Sequence, residues 1–201
     1  MTSLLRYATE QRFDALIFDC DGTLANTSPV HYRAFSEAVA EQGHAMDRAW
    51  YFARIGFSRD QVFDQFEREF GAKLDRPALA ERSRALFFDY LHHVDAFDAV
   101  ASVARHFHGR VPMAVASGGQ RLIVEATLRS LDLLPLFDAI VTVEDVVHSK
   151  PAPDVFLEAA RRLNTASTAC LVFEDSDEGL EAARRAGMVA KDVRDTRASA
   201  A

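Results

Sequence analysis

The chain has 201 residues, 49% of them hydrophobic and 26% charged, the balance of a globular protein rather than a disordered or fibrous one. That length suits one α/β core plus a small insert, with enough interior to need no disulfide or metal staples. A net charge of −7, with the arginines scattered rather than run together, excludes a nucleic-acid surface but leaves room for a small anionic substrate held locally by cations.

In chain order, residues 1–12 are polar and lack the apolar region of a signal peptide. No apolar run approaches the roughly 18–20 residues of a membrane span. A cytoplasmic monomer without nucleic-acid or membrane partners is therefore expected. Short, nearly continuous apolar runs at 15–18, 111–116, 140–143 and 170–173, with a weaker one at 189–193, read as strands buried on both faces of a parallel sheet. Helical patterns at 120–131, 153–163 and 178–186 separate them, the last two stopping at Asn164 and Gly187. This alternation predicts a doubly wound, Rossmann-like α/β core.

The stretch 28–95 breaks the pattern, being helical throughout. Ser28-Pro29 reads as a helix start and Gly43 as its end. Ser58-Arg59-Asp60-Gln61 reads as a capping box before a helix closed by Gly71, and Asp75-Arg76-Pro77 opens a third helix running to about Leu91. The predicted organisation is core 1–27, all-helical cap 28–95, core 96–201, with a small polar tail from Thr196. Phe63, Phe66, Phe70, Phe87 and Phe88 are expected in the interior of the insert or at its junction with the core.

The chemistry-bearing residues gather where the strands end. Asp19-Cys20-Asp21-Gly22-Thr23-Leu24 directly follows the first apolar run, placing two carboxylates beyond the carboxyl end of a strand. Gly22 permits a sharp turn there. Two acids so close stay ionised together only beside a cation, and a hard ion with oxygen ligands, Mg²⁺ for phosphate chemistry, meets that need. Ser117-Gly118-Gly119, after the second core strand, offers a hydroxyl and backbone N–H groups to a phosphate. Lys150-Pro151-Ala152-Pro153-Asp154 offers a fixed positive charge. Glu174-Asp175-Ser176 adds a second acidic pair able to complete a metal site. Each signal is weak alone, and each has a bland reading as a loop residue or helix cap. Their order on successive strands is what carries weight.

Cys20 and Cys170 have no Cys-x-x-Cys spacing and read as reduced, half-buried thiols. His92-His93 and His106-x-His108 lack partners at a metal-ligand spacing. Arg161-Arg162 and Arg184-Arg185 read as exposed helix faces paired with nearby Glu.

Asp19-x-Asp21-Gly-Thr-Leu, Ser117, Lys150-Pro and Glu174-Asp175 together resemble the four motifs of the haloacid dehalogenase (HAD) superfamily. The position of the helical insert resembles that superfamily's β-phosphoglucomutase-like, helical-cap group. His108-Gly109-Arg110 and Pro112-Met113-Ala114-Val115 are similar to its bacterial fructose-1-phosphate and 6-phosphogluconate phosphatase branch. The resemblance implies a Mg²⁺-dependent phosphohydrolase acting on a small sugar phosphate or related phosphomonoester. In it Asp19 is the nucleophile that forms an aspartyl-phosphate, and Asp21 is the general acid and base. Asp19, the Asp21 carbonyl and Asp175 would hold the metal, with Glu174 nearby or acting through water. Ser117, Gly118 and Lys150 would hold the phosphoryl group. The cap would cover the substrate, leaving His31 and Arg59 as candidate specificity contacts.

Three departures stand out: Asn26 where the family usually has aspartate, Ser83 in the place of a mutase cap lysine, and no Pro-Gly within 96–100. The alternatives are a β-phosphoglucomutase using the same aspartate and, less in keeping with Asp21 and the cap, a phospho-acceptor or non-catalytic binding domain.

Overall fold

The apolar runs form the middle of a parallel sheet because each residue along them has a hydrophobic layer to enter. In the computed structural model, which describes residues 2–55, 57 and 59–196, five strands lie in the order β5-β4-β1-β6-β7. They are β1 (Ala15–Phe18), β4 (Met113–Ala116), β5 (Ala139–Val141), β6 (Cys170–Glu174) and β7 (Val189–Asp192). All neighbours pair in parallel, with Leu16 opposite Met113 on one side and Leu171 on the other.

Alternate residues serve opposite faces. Leu16, Phe18, Met113, Val115, Leu171 and Phe173 join one buried cluster, covered by α1 (Ser3–Glu10), α6 (Asp98–Phe107) and α7 (Arg121–Ser130). Ala15, Ile17, Ala114, Ala116 and Val172 join the other, under α8 (Asp154–Arg162) and α9 (Asp177–Arg185). The doubly wound α/β class is therefore present. The chain leaves β1 toward β4 on one side and reaches β6 on the other, which makes the carboxyl end of β1 the topological switch point where such sheets bind ligands.

Backbone contacts divide the chain into one unit of residues 1–26 and 95–201 and another of residues 27–94. In the first, β2 (Ala25–Asn26) pairs antiparallel with β3 (Asp95–Ala96). Phe97 N donates to Leu24 O at 2.9 Å, so this two-stranded ribbon, rather than a Pro-Gly turn, forms the re-entry point. The second unit contains α2 (Ser28–Glu41), α3 (Arg48–Phe52), α4 (Arg59–Phe70) and α5 (Arg76–Asp89). Phe63, Phe66, Leu79, Leu86 and Phe87 are buried, whereas Phe70 is 51% exposed and rests its edge on Trp50.

Some boundaries differ from the sequence reading. Thr27, not Ser28, is the N-cap of α2 and makes no side-chain cap bond, so Pro29 falls one position later than expected. β4 begins at Met113 because Pro112 has no N–H for the ladder. β5 ends at Val141 because Thr142 caps a 3₁₀ turn, Val143–Asp145. The third insert helix stops at Asp89, and a separate 3₁₀ turn covers Leu91–His93. Residues 3–10 form a helix anchored by Leu4 and Ala8 that was not anticipated, and neither were α3 and α6. The expected Ser58 cap and the tail beyond Thr196 lie outside the described residues. No described helix is long and apolar enough to cross a membrane.

Candidate active site

Asp19 is the residue immediately beyond β1, and its N–H continues the ladder by donating to Phe173 O at 3.0 Å. Placement at the sheet's centre explains its burial, at 5% exposure, whereas Asp21 two residues on is only partly buried. Between Asp21 and Ala25 the chain turns through Gly22 at φ +86°. A β-carbon at Gly22 would stand 2.3 Å from Asp175 Oδ2, so only glycine lets the turn pass this close to that carboxylate. Thr23 Oγ1 donates to Asp175 Oδ1 at 3.1 Å, tying the turn to the end of β6.

Glu174 closes β6 and is 1% exposed. Its Oε1 accepts from Asp175 N and Ser176 N, each at 3.0 Å, and from Ser176 Oγ at 2.8 Å. Its Oε2 accepts from Lys150 Nζ at 2.7 Å. Gly179, in the first turn of α9, leaves the space this carboxylate fills: a β-carbon there would lie 2.0 Å from Glu174 Cδ. Ser176 caps α9 by accepting from Gly179 N. The sequence reading missed this cap, although a Ser ahead of a helical run is its usual sign.

Lys150 stands between Asp19 and Glu174, its Nζ also 2.7 Å from Asp19 Oδ1, and its side chain is only 10% exposed. It lies before a cis proline bond, and its ammonium is 4.9 Å from the centre of the Phe156 ring. Burial would lower the Lys150 pKa, but the two flanking carboxylates outweigh that and hold it well above the ordinary lysine value. Asp19 shifts upward: burial comes first, then the charge of Glu174, with Lys150 opposing both.

Ser117 follows β4 and is buried; its N–H donates to Val141 O, and its Oγ accepts from Gly119 N at 2.9 Å. A β-carbon at Gly119 would stand 3.2 Å from Ser117 Oγ and 3.3 Å from Asp21 Oδ2, so this loop and the Asp21 carboxylate are neighbours. Gly118 is exposed beside them.

Asp19, Glu174 and Asp175 each offer a carboxylate oxygen within 4.8 Å of the others. Asp19 Oδ2 is buried without a hydrogen-bond partner. Three clustered acids, two of them sharing one ammonium and one with an orphaned anionic acceptor, fit a hard divalent cation: it would satisfy that acceptor and offset the surplus negative charge.

The structure thus brings together Asp19, Glu174, Asp175 and Lys150, and sets Asp21 beside the Ser117–Gly119 loop. Two further predicted residues sit in the helical unit. His31, on α2, is partly buried and stacks on Phe87 at 4.4 Å between ring centres. Arg59 opens α4 with Nε 3.9 Å from Asp60 Oδ1. Ser83 is buried on α5, its Oγ donating to Ala80 O.

A sequence profile described as haloacid dehalogenase-like hydrolase matches residues 16–191. Fructose-1-phosphate phosphatase YqaB of Escherichia coli (strain K12) is 40% identical over 188 residues, covering 92% of this chain and 98% of that protein. The 6-phosphogluconate phosphatase of the same organism is 28% identical over 183 residues, covering 88% and 80%. Among solved structures, CbbY from Rhodobacter sphaeroides in complex with phosphate matches with a TM-score of 0.78 at 26% identity, covering 89% of this chain and 84% of that one. The motif residues, the parallel sheet that gathers them and the span of these matches lead to one assignment: the chain belongs to the haloacid dehalogenase-like hydrolases.

Proposed function

We propose that this protein is a Mg²⁺-dependent phosphatase of small sugar phosphates, with Asp19 as its nucleophile. The observation that carries the reading is the buried Asp19 carboxylate, one oxygen on the Lys150 ammonium and the other without a hydrogen bond, at the carboxyl end of the central strand. An Asp19 oxygen would attack phosphorus in line while the phosphorus–sugar oxygen bond breaks, leaving an aspartyl-phosphate. Asp21, the more exposed of the two aspartates, would protonate the departing sugar oxygen. It would then take a proton from the water that attacks the aspartyl-phosphate, releasing inorganic phosphate and restoring Asp19.

Ser117, the N–H of Gly118 and Lys150 are assigned to the phosphoryl oxygens, where fixed donors stabilise the charge of the transition state. Asp19, the Asp21 carbonyl and Asp175 are assigned to Mg²⁺, which when bound supplies neutralisation of phosphoryl charge. Glu174, with both oxygens occupied by protein donors, would contribute nearby or through water. His31 and Arg59 remain candidate specificity residues on the strength of the sequence resemblance. Fructose 1-phosphate is the first substrate to test because the relative named for it matches over nearly its whole length.

The test compares wild type with Asp19→Asn, with and without Mg²⁺, on fructose 1-phosphate, 6-phosphogluconate and β-glucose 1-phosphate. Free phosphate and glucose 6-phosphate are both scored. Metal-dependent phosphate release should disappear in Asp19→Asn while the far-ultraviolet circular dichroism spectrum is kept. Turnover retained by that variant would overturn the mechanism, and glucose 6-phosphate formed without free phosphate would make the enzyme a mutase.

A further inference from the structure

Two loops carry the groups assigned to the phosphoryl oxygens: residues 117–120 between β4 and α7, and residues 142–153 between β5 and α8. They are joined away from Asp19 by a network that sequence reading dismissed as an exposed arginine pair. Asp145 lies at its centre, its side chain 16% exposed. Its Oδ1 accepts from Arg162 Nη2 at 2.7 Å, and its Oδ2 accepts from Arg121 Nη2 and, at 2.8 Å, from Thr142 N. Both guanidinium groups also donate to Ile140 O, Arg162 at 2.9 Å and Arg121 at 3.2 Å. Next to Asp145, Glu144 Oε2 accepts from the backbone N–H of Arg121 at 2.8 Å and lies 3.1 Å from Thr142 Oγ1.

Arg121 is the first residue of α7, directly after the loop that holds Ser117 and Gly118. Thr142–Asp145 is the first turn of the segment that ends in Lys150. The contacts therefore fasten the end of one phosphoryl-holding loop to the start of the other, with α8 as a third anchor through Arg162. Guanidinium–carboxylate contacts are directional and charge-assisted, so a pair of them around one aspartate fixes orientation as well as distance.

We infer that Asp145, clamped between Arg121 and Arg162, is a positioning residue that holds Lys150 in register with Ser117 for the phosphoryl group. The inference rests on the phosphatase reading for its catalytic consequence, though not for its structural one. Lys150 has to meet Asp19 and Glu174 together, from a segment that runs from Asp145 through Val147, 86% exposed, its further holds being Val146 packed against the core and His148, whose backbone N–H donates to Asp154 Oδ2 at 3.2 Å. Release of the clamp would let the ammonium swing away from the carboxylates while the sheet beneath stays intact.

Only three lysines occur in the chain, at 73, 150 and 191, so their reactivity can be followed one by one. The experiment labels wild type, Asp145→Asn and Arg121→Gln with a limiting acylating reagent and quantifies each lysine by peptide mass spectrometry. Exposed Lys73 serves as the internal reference, and Lys191, on β7 of the same sheet, reports general loosening. In parallel, kcat and KM are measured for fructose 1-phosphate, with Asp145→Asn also combined with Lys150→Ala. Lys150 should label several times faster in both clamp variants with Lys191 unchanged. The kcat should fall on the order of ten- to a hundredfold, more than KM rises, as for misplacement of a catalytic group. The Asp145→Asn loss should vanish when Lys150 is already alanine.

Unchanged Lys150 labelling, a parallel rise at Lys191, or an undiminished Asp145→Asn effect on kcat without Lys150 would each overturn the inference. If the wild type releases no phosphate from any substrate, the phosphatase reading fails, and the labelling still decides whether the clamp positions Lys150.

Discussion

Lys150 sits 2.7 Å from carboxylate oxygens at the ends of two different strands, and removing it would leave Asp19 and Glu174 facing each other in the interior. Breaking a buried ion pair by deleting one partner costs about 3–5 kcal/mol, because the remaining charge is left uncompensated. Lys150→Met should therefore unfold at lower urea concentration than wild type. Because a divalent cation can replace part of the lost charge, Mg²⁺ should raise the melting temperature of this variant more than that of the wild type. A variant as stable as wild type without metal would show that Lys150 does not balance these acids. Asn26 belongs at this scale too. It stands directly opposite Asp95 in the ribbon, where an aspartate would set two like charges side by side, so the departure from the family pattern has a local electrostatic reason.

Among the elements, the 3₁₀ turn Val143–Asp145 ends in a carboxyl that its surroundings tune strongly. Burial pushes the Asp145 carboxyl up, but hydrogen bonds from Arg162 and Thr142, with the charge of Arg121, outweigh it and bring the pKa to about 2. A folded value below the ordinary 3.8 means the ionised clamp stabilises the protein fully above that value, and the contribution fades as pH falls through about 2. The difference in unfolding free energy between wild type and Asp145→Asn should stay constant at neutral and mildly acidic pH. It should then shrink by about 2 kcal/mol as pH drops from about 4 to about 2. Urea titrations across that range measure it, and a flat difference would show that Asp145 titrates alike in folded and unfolded chains. The arginine doublets show why pattern reading separates such cases poorly. Arg184 and Arg185 both pair with Glu181 on their own helix, as expected, and Arg161 pairs with Glu158. Arg162 also bonds Glu158, but it reaches across to Asp145 and Ile140, and no helical spacing announces that.

At the level of the whole molecule, the helical unit is inserted where the chain can leave and return at neighbouring points: Asn26 and Asp95 are paired residues of one ribbon. Replacing residues 27–94 by a short Gly-rich turn should therefore leave the five-stranded unit able to fold. Cooperative urea unfolding with retained circular dichroism would be the expected result, together with loss of discrimination among sugar phosphates. A chain that shows no cooperative transition would mean that the sheet unit depends on the insert for its stability.

The sequence by itself determined the strands of the core, the helical insert between the first two of them, and the motif residues at strand ends. These are local matters: a strand buried on both faces must be apolar throughout, and Gly22 and the paired acids lie within a few residues of β1. It did not reveal α1 or α6, whose apolar faces are legible only against the sheet they cover, nor the β2–β3 ribbon, two residues on each side and some seventy apart in the chain. Only the tertiary structure decided that Lys150 bridges Asp19 and Glu174, that Gly179 makes room for the Glu174 carboxylate, and that Asp145 is held by arginines from two helices. Each of those contacts joins residues from separate elements, and their energies depend on burial and on angles between side chains that exist only once the sheet has been assembled.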